Sequence, residues 1–107
     1  MIDTDTINAA FGRLTLATVG LAEASVLEAR VRTEIEFKKA ELLALGVIDG
    51  KNAEAREGQV RDRLVEEHKV LADVQSTVAD SRTNLALAQI EIDRCKTLLR
   101  LLEVTRP

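Results

Sequence analysis

Six apolar residues spaced seven positions apart run through the second half of the chain. They are Leu64, Leu71, Val78, Leu85, Ile92 and Leu99. The companion positions, four residues before or three after them, are also mostly apolar: Val60, Val74, Ala88, Cys95 and Leu102. A heptad repeat of this length is typical of a helix that packs along its length against another helix. The pattern therefore predicts an all-α fold built on a coiled coil.

The helical pattern has one interior break, between Leu45 and Asn52. Gly46 can adopt the left-handed conformation that closes a helix, and Val47 can supply the hydrophobic contact of such an end. Asp49 or Asn52 can then cap a new helix. The only proline is the last residue, so it interrupts neither helix. We predict a single domain over residues 1–107, with a helix over 4–45, a loop over 46–52 and a helix over 53–104.

The first helix repeats the apolar pattern less regularly, and the two helices can pack against each other. Because the loop is short, the second helix must run back along the first as an antiparallel coiled-coil hairpin. The residues predicted to form the hairpin core are Leu64, Leu71, Val74, Val78, Leu85, Ile92 and Leu99 in the second helix and Leu21, Ile35 and Leu42 in the first.

Near the two termini the chain carries more apolar side chains than one helix-helix seam can cover. An exposed apolar surface of this kind normally marks an interface, and two-fold pairing covers it with the same residues used twice. We therefore predict a homodimer in which two hairpins form a four-helix bundle. The predicted oligomer interface consists of Leu14, Leu16, Val19, Val26, Leu98, Leu101 and Leu102.

The charged residues favour protein contacts over nucleic-acid binding. There are 15 Lys and Arg and 18 Asp and Glu, a net charge of −3, and the two signs are interspersed along the chain. A nucleic-acid-binding protein usually shows a basic stripe instead. The loop end of the hairpin is the most charged part and is the predicted surface for another protein. Its candidate residues are Asp49, Lys51, Asn52, Arg56, Arg61 and Arg63.

No motif for catalysis, metal binding or a cofactor is visible in the sequence. His68 is the only histidine and Cys95 the only cysteine. We interpret His68 as a solvent-exposed helix residue and Cys95 as a small buried hydrophobic residue at a heptad core position. We predict no enzymatic activity, no bound metal, no cofactor and no small-molecule ligand.

Four polar residues interrupt the apolar core positions: Glu28, Lys38, Glu67 and Ser81. Buried polar residues can set the register and the partner of a coiled coil. The alternative, which we favour, is that the stripe drifts locally and turns these side chains outward, because 3.6 residues per turn do not match a seven-residue repeat.

The sequence shows no apolar run of about 18 residues and no basic segment leading into an apolar one near Met1. On these grounds we predict a cytoplasmic protein that does not bind membranes.

The segment from Ile48 to Glu57, followed by a long helix rich in Ala, Leu, Glu and Arg, resembles small helical-hairpin accessory proteins encoded by bacteriophages and prophages. The resemblance implies a protein that acts through contacts with other proteins. One alternative is an anti-CRISPR-like inhibitor that blocks a host defence complex sterically. A second alternative is a nucleic-acid-binding accessory protein that uses Arg56, Arg61, Arg63 and Lys69.

Overall fold

The computed structural model describes residues 3–105, and these residues form three helices without a strand. The helices are α1 (Thr4–Ala44), α2 (Ala53–Arg63) and α3 (Val65–Val104). The predicted all-α fold is confirmed.

The two ends of α1 follow from local chemistry. The Asp3 carboxylate accepts a hydrogen bond of 2.8 Å from the backbone N–H of Thr6, so Asp3 satisfies one of the unpaired amides of the first turn. At the other end Gly46 has φ of +74°, the left-handed conformation that closes a helix. Val47, just beyond it, and Leu42 both pack against a buried cluster that includes Ile35 and Ile48. The helix ends within one residue of the predicted position.

The loop between α1 and α2 is held by the side chains of Asn52 and Gln59. The Asn52 side chain accepts a hydrogen bond of 2.8 Å from the backbone N–H of Ala55 and caps α2. Gln59 accepts hydrogen bonds from the backbone N–H groups of Asp49 and Gly50, at 3.0 and 2.8 Å, and donates one of 2.7 Å to the Asp49 carboxylate. One glutamine in α2 therefore fixes the turn that precedes it.

The prediction of one continuous helix over residues 53–104 is wrong at Leu64. The backbone of Leu64 has φ of −113° and ψ of 31°, outside the helical region, and separates α2 from α3. Hydrogen bonds continue on both sides, from Leu64 N–H to the Val60 carbonyl and from His68 N–H to the Leu64 carbonyl. Leu64 and Val60 are both buried in a cluster that also contains Ile48 of the loop. The heptad pattern cannot reveal this break, because Leu64 keeps its place in the repeat.

The chain divides into two compact units. The loop unit comprises residues 25–77, and the terminal unit comprises the described residues of 1–24 and 78–107. In the loop unit, α1 contributes Val31 and Ile35 to a buried cluster that Ile48, Val60, Leu64 and Val74 complete. That the whole chain is a single domain stays a prediction.

In the terminal unit α1 packs against α3. Ala10 lies against Ile92 and Cys95, and Leu14 packs on this group. Early residues of α1 face late residues of α3: Thr6 lines the same cavity as Leu102, and Leu16 lines the same cavity as Leu87. The two helices are therefore antiparallel within this unit.

The predicted core residues differ in their burial. Leu64, Val74, Val78, Ile92 and Ile35 are buried, and Ile92 is only 2 % exposed. Four others are half-buried, namely Leu71, Leu85, Leu21 and Leu42.

The assignment of Leu99 to the core is wrong for the single chain, because this side chain is 38 % exposed. Leu99 lies near the end of α3, beyond Cys95, the last buried residue of the described part of that helix.

Two of the polar interruptions of the core pair with each other. Lys38 of α1 donates a hydrogen bond of 3.2 Å to Glu67 of α3, and both side chains remain partly exposed. The pKa of Glu67 is lowered, first by hydrogen bonding from its own backbone N–H and then by the hydrogen bond from Lys38. Glu28 pairs instead with Arg32 on its own helix, at 3.3 Å. Both side chains of the Lys38–Glu67 pair thus turn toward solvent and still bridge the two helices.

Candidate interaction groove

One side of the terminal unit is a groove between α1 and α3. It consists of two cavities of about 600 and 400 Å³ that share Glu91 as a lining residue. Its α1 side contains Thr6, Arg13 and Leu16. Its α3 side contains Asn84, Leu87, Glu91, Arg94, Leu98, Leu101, Leu102 and Thr105. We call this surface the terminal groove.

The walls of the terminal groove are leucines, and its floor is made of small side chains. Leu16, Leu87, Leu98, Leu101 and Leu102 are between 38 % and 74 % exposed. Ala17, Ala88 and Cys95 lie between them at the floor, and the last two are buried. Small residues at the seam let α1 and α3 approach closely, so the larger leucines on either side project as walls. The groove is therefore apolar and open to solvent.

An ion pair crosses the terminal groove between the two cavities. Arg13 of α1 binds Glu91 of α3 through two of its nitrogens, and the Nε to Oε2 distance is 2.9 Å. A bidentate pair of this kind fixes both side chains more firmly than a single contact does. It therefore holds α1 and α3 in register where both helices border the groove.

The charges around Glu91 keep it ionised. Its pKa lies below the ordinary value of 4.5, mainly because Arg13 donates a hydrogen bond to it and further because Arg13 and Arg94 are positively charged. At neutral pH the groove therefore carries a carboxylate at its centre, with Arg94 beside it on the same helix.

The residues predicted for the oligomer interface do not form one surface. Leu16, Leu98, Leu101 and Leu102 line the terminal groove. Val19 and Val26 are exposed along α1, and Val26 belongs to the loop unit. Leu14 is half-buried against Ala10, Ile92 and Cys95 inside the terminal unit, so the hairpin itself uses part of this side chain. Its place in an oligomer interface stays a prediction.

Sequence reasoning missed Leu87, Glu91, Arg94 and Thr6. The first three belong to a second stripe on α3, displaced from the core stripe, which continues through Leu98 and Leu101. Its spacing of three and four residues was visible in the sequence, but Glu91 and Arg94 interrupt the apolar pattern. A search for apolar residues alone passes over it.

The loop residues predicted to bind another protein are partly engaged inside the loop unit. Asn52 caps α2, Asp49 is bonded to Gln59, and Arg56 donates a hydrogen bond of 3.3 Å to the Gly50 carbonyl. The sequence predicts the capping role of Asn52, but it does not reveal the hydrogen bonds made by Asp49 and Arg56. The other three, Lys51, Arg61 and Arg63, are exposed.

The cysteine and the histidine belong to different units of the structure. Cys95 is buried at the floor of the terminal groove, whereas His68 is exposed in the loop unit. Among residues 3–105 no group of three or more His, Cys, Asp or Glu side chains is placed to hold a metal ion.

Helix α1 also passes a test of length and composition for crossing a membrane. An 18-residue window within it has mean hydropathy 1.3, and 11 % of that window is buried. The window contains polar residues and is therefore not an uninterrupted apolar run. Helices of soluble bundles can have the same length and composition.

Comparisons with protein-family models, curated proteins and solved structures find no match to this chain. They bear neither on the resemblance to phage accessory proteins nor on any function.

Proposed function

We propose that this protein is a non-enzymatic coiled-coil interaction protein that assembles with a second copy of itself through the terminal groove. The observation that supports this most directly is the row of five exposed leucines on one side of the terminal unit. A contiguous apolar surface with charged groups at its centre is characteristic of a protein interface.

The exposed leucine surface is large enough to drive association. Together the five leucines expose the equivalent of about three whole side chains, and covering each is worth roughly 1.5 to 3 kcal/mol. Two copies therefore gain about 8 to 16 kcal/mol, while association costs roughly 4 to 15 kcal/mol. The free energy gained by covering the leucines and the free energy lost on association are of similar size, so the proposed dimer dissociates on dilution.

A second copy is the partner that fits this surface most simply. In a two-fold dimer the same groove is used by both chains, so no further complementary surface is needed. Two antiparallel helix pairs that meet along their grooves form a four-helix bundle. The proposed assembly leaves Lys51, Arg61 and Arg63 of the loop unit for contact with another protein.

Inhibition of a host defence complex, nucleic-acid binding, a phage origin and a cytoplasmic location stay predictions. For nucleic-acid binding, the acidic residues Glu57 and Asp62 lie between the arginines Arg56, Arg61 and Arg63 on α2. A carboxylate beside each cation weakens attraction to phosphate.

Light scattering coupled to size-exclusion chromatography tests the proposal. The wild-type chain is expected to elute with the mass of two chains and to shift toward one chain on dilution. Leu87→Asp places a charge in the groove wall and is expected to give the mass of one chain. Phe37→Asp is the matched control, because Phe37 is 71 % exposed in the loop unit, and it is expected to leave the dimer intact.

Helical content by circular dichroism should be the same for both variants, since neither residue is buried. A wild-type chain that has the mass of one chain at every concentration would contradict the proposal. A protein that has the mass of one chain and floats with phosphatidylcholine vesicles would also contradict the proposal, because lipid would then cover the groove.

A further inference from the structure

The spacing of the groove-facing residues of α3 is symmetric about the middle of the stripe. Asn84, Leu87, Glu91, Arg94, Leu98 and Leu101 follow one another at alternating intervals of three and four residues. The midpoint of this stripe lies between residues 92 and 93. An antiparallel copy of α3 therefore places Leu87 opposite the partner's Leu98 and Glu91 opposite the partner's Arg94.

The charges at the centre of the stripe favour the antiparallel arrangement. Glu91 is already bound by Arg13, but a carboxylate has four acceptor sites, and this side chain is still 34 % exposed. It can therefore accept a second arginine from another chain. In a parallel arrangement Glu91 faces Glu91 and Arg94 faces Arg94, and like charges at facing positions are unfavourable.

The α1 side of the terminal groove agrees with the same axis. Arg13 contacts Glu91 and Ala10 packs on Ile92, so the midpoint of the α3 stripe lies beside Gly12. A two-fold axis there places Leu16 opposite the partner's Asn8 and Ala9. Both Ala9 and Gly12 are exposed, and a side-chain carbon added to Gly12 meets no atom within 4 Å in one chain. These small residues leave room for the partner's leucine.

We infer that two copies pair through antiparallel contact of their α3 helices about a two-fold axis between Ile92 and Asp93, with Glu91 of each chain bound to the partner's Arg94. The interface then contains two symmetry-related ionic networks. In each of them Arg13 and Glu91 of one chain join Arg94 of the other. This inference rests on the proposed function, since it specifies how the terminal grooves meet.

Cysteine crosslinking tests the register. All variants carry Cys95→Ala, which removes the native thiol and leaves an alanine of the kind found at Ala88. Leu87→Cys and Leu98→Cys are made as separate chains. In the inferred dimer two copies of residue 87 are eleven residues apart along the helices, roughly 16 Å, which is too far for a disulfide.

Under mild oxidation each variant alone is expected to stay uncrosslinked, and an equal mixture of the two is expected to give a disulfide-linked dimer. Self-crosslinking of Leu87→Cys alone, or a dimer by mass whose mixture does not crosslink, would overturn the inferred register and leave the proposed self-association standing. A wild-type chain that is monomeric by light scattering overturns both.

Charge reversal tests the arginine. In the inferred dimer Arg94→Glu places a carboxylate opposite the partner's Glu91, and the two-fold symmetry repeats this repulsion. The variant is expected to raise the dissociation constant of the dimer by at least about tenfold. Arg94→Lys keeps the charge and should change it by a few-fold at most. The control is Arg100→Glu, since Arg100 lies about 160° around α3 from Leu98 and should leave the dissociation constant unchanged. Equal effects of Arg94→Glu and Arg100→Glu would contradict the Glu91 to Arg94 contact.

Discussion

Gly50 has a structural role that only its neighbours reveal. A side-chain carbon at this position would lie 2.8 Å from the backbone nitrogen of Arg56, closer than such atoms approach in folded proteins. At the same place Gln59 holds the backbone N–H groups of Asp49 and Gly50. The sequence identifies this segment as a turn from its residue types, but it does not show that α2 packs against the backbone of the turn.

Gly50→Ala is therefore expected to destabilise the protein, because the new methyl group must displace the first turn of α2. Gly58→Ala is the matched control: Gly58 lies inside α2 with open space around it, so alanine should stabilise the helix by about 1 kcal/mol. Thermal unfolding followed by circular dichroism measures both. An equal rise in melting temperature for the two variants would show that Gly50 is not confined as described.

The carboxylates of Asp3, Glu67 and Glu91 make stability depend on pH. Their pKa values are lowered in the folded state, by the Thr6 backbone N–H for Asp3, by backbone hydrogen bonding and Lys38 for Glu67, and by Arg13 for Glu91. A lowered pKa means that the unfolded chain binds protons more readily, so stability is lost as the pH falls below about 4.5.

We expect the melting temperature to fall steadily between about pH 5 and about pH 3, the range in which carboxylates take up protons. Glu91→Gln removes one of these carboxylates, so the variant should lose part of this pH dependence. At about pH 7, where the wild-type Glu91 is ionised and bound to Arg13, the variant should have the lower melting temperature. The matched control Glu103→Gln removes an exposed carboxylate that forms no ion pair with another residue between positions 3 and 105. A Glu91→Gln variant with the wild-type pH profile would contradict the role of the Arg13–Glu91 pair.

At the scale of elements, the heptad positions of α3 predict which face meets α1. The buried residues Val74, Val78, Ala88, Ile92 and Cys95 all belong to it. The pattern works because an apolar face must leave water whatever its partner is. It does not reveal the break at Leu64, where the backbone leaves the helical conformation, and it assigns Leu99 to the core although that side chain is 38 % exposed.

Two isoleucines of α3, one buried and one exposed, distinguish the effect of core packing on stability from the effect of losing an apolar side chain. Ile92→Ala removes a side chain that is 2 % exposed and is expected to cost about 2 to 5 kcal/mol of unfolding free energy. Ile90→Ala removes one that is exposed, and it should cost less than about 0.5 kcal/mol. Chemical denaturation at one protein concentration gives both values. Similar losses for the two variants would show that the α1–α3 packing is not as described.

At the scale of the whole molecule, assembly and stability are coupled. If two copies bind through the terminal groove, the folded dimer is favoured by mass action and the melting temperature rises with protein concentration. Leu87→Asp should remove this rise, whereas Phe37→Asp should keep it. A melting temperature independent of concentration in the wild-type chain would argue against a dimer linked to folding.

The sequence by itself determined the helical fold, the place of the loop and the buried face of α3, because each follows from periodicity or from the backbone preferences of Gly46 and Asn52. Only the tertiary structure decided which remaining apolar residues share a surface. Leu14 and Leu16 are two residues apart, yet the first packs on Ile92 and the second forms a wall of the terminal groove. The physical reason is that a helix has two flanks beside its core face, and which of them meets solvent depends on the helix packed against it.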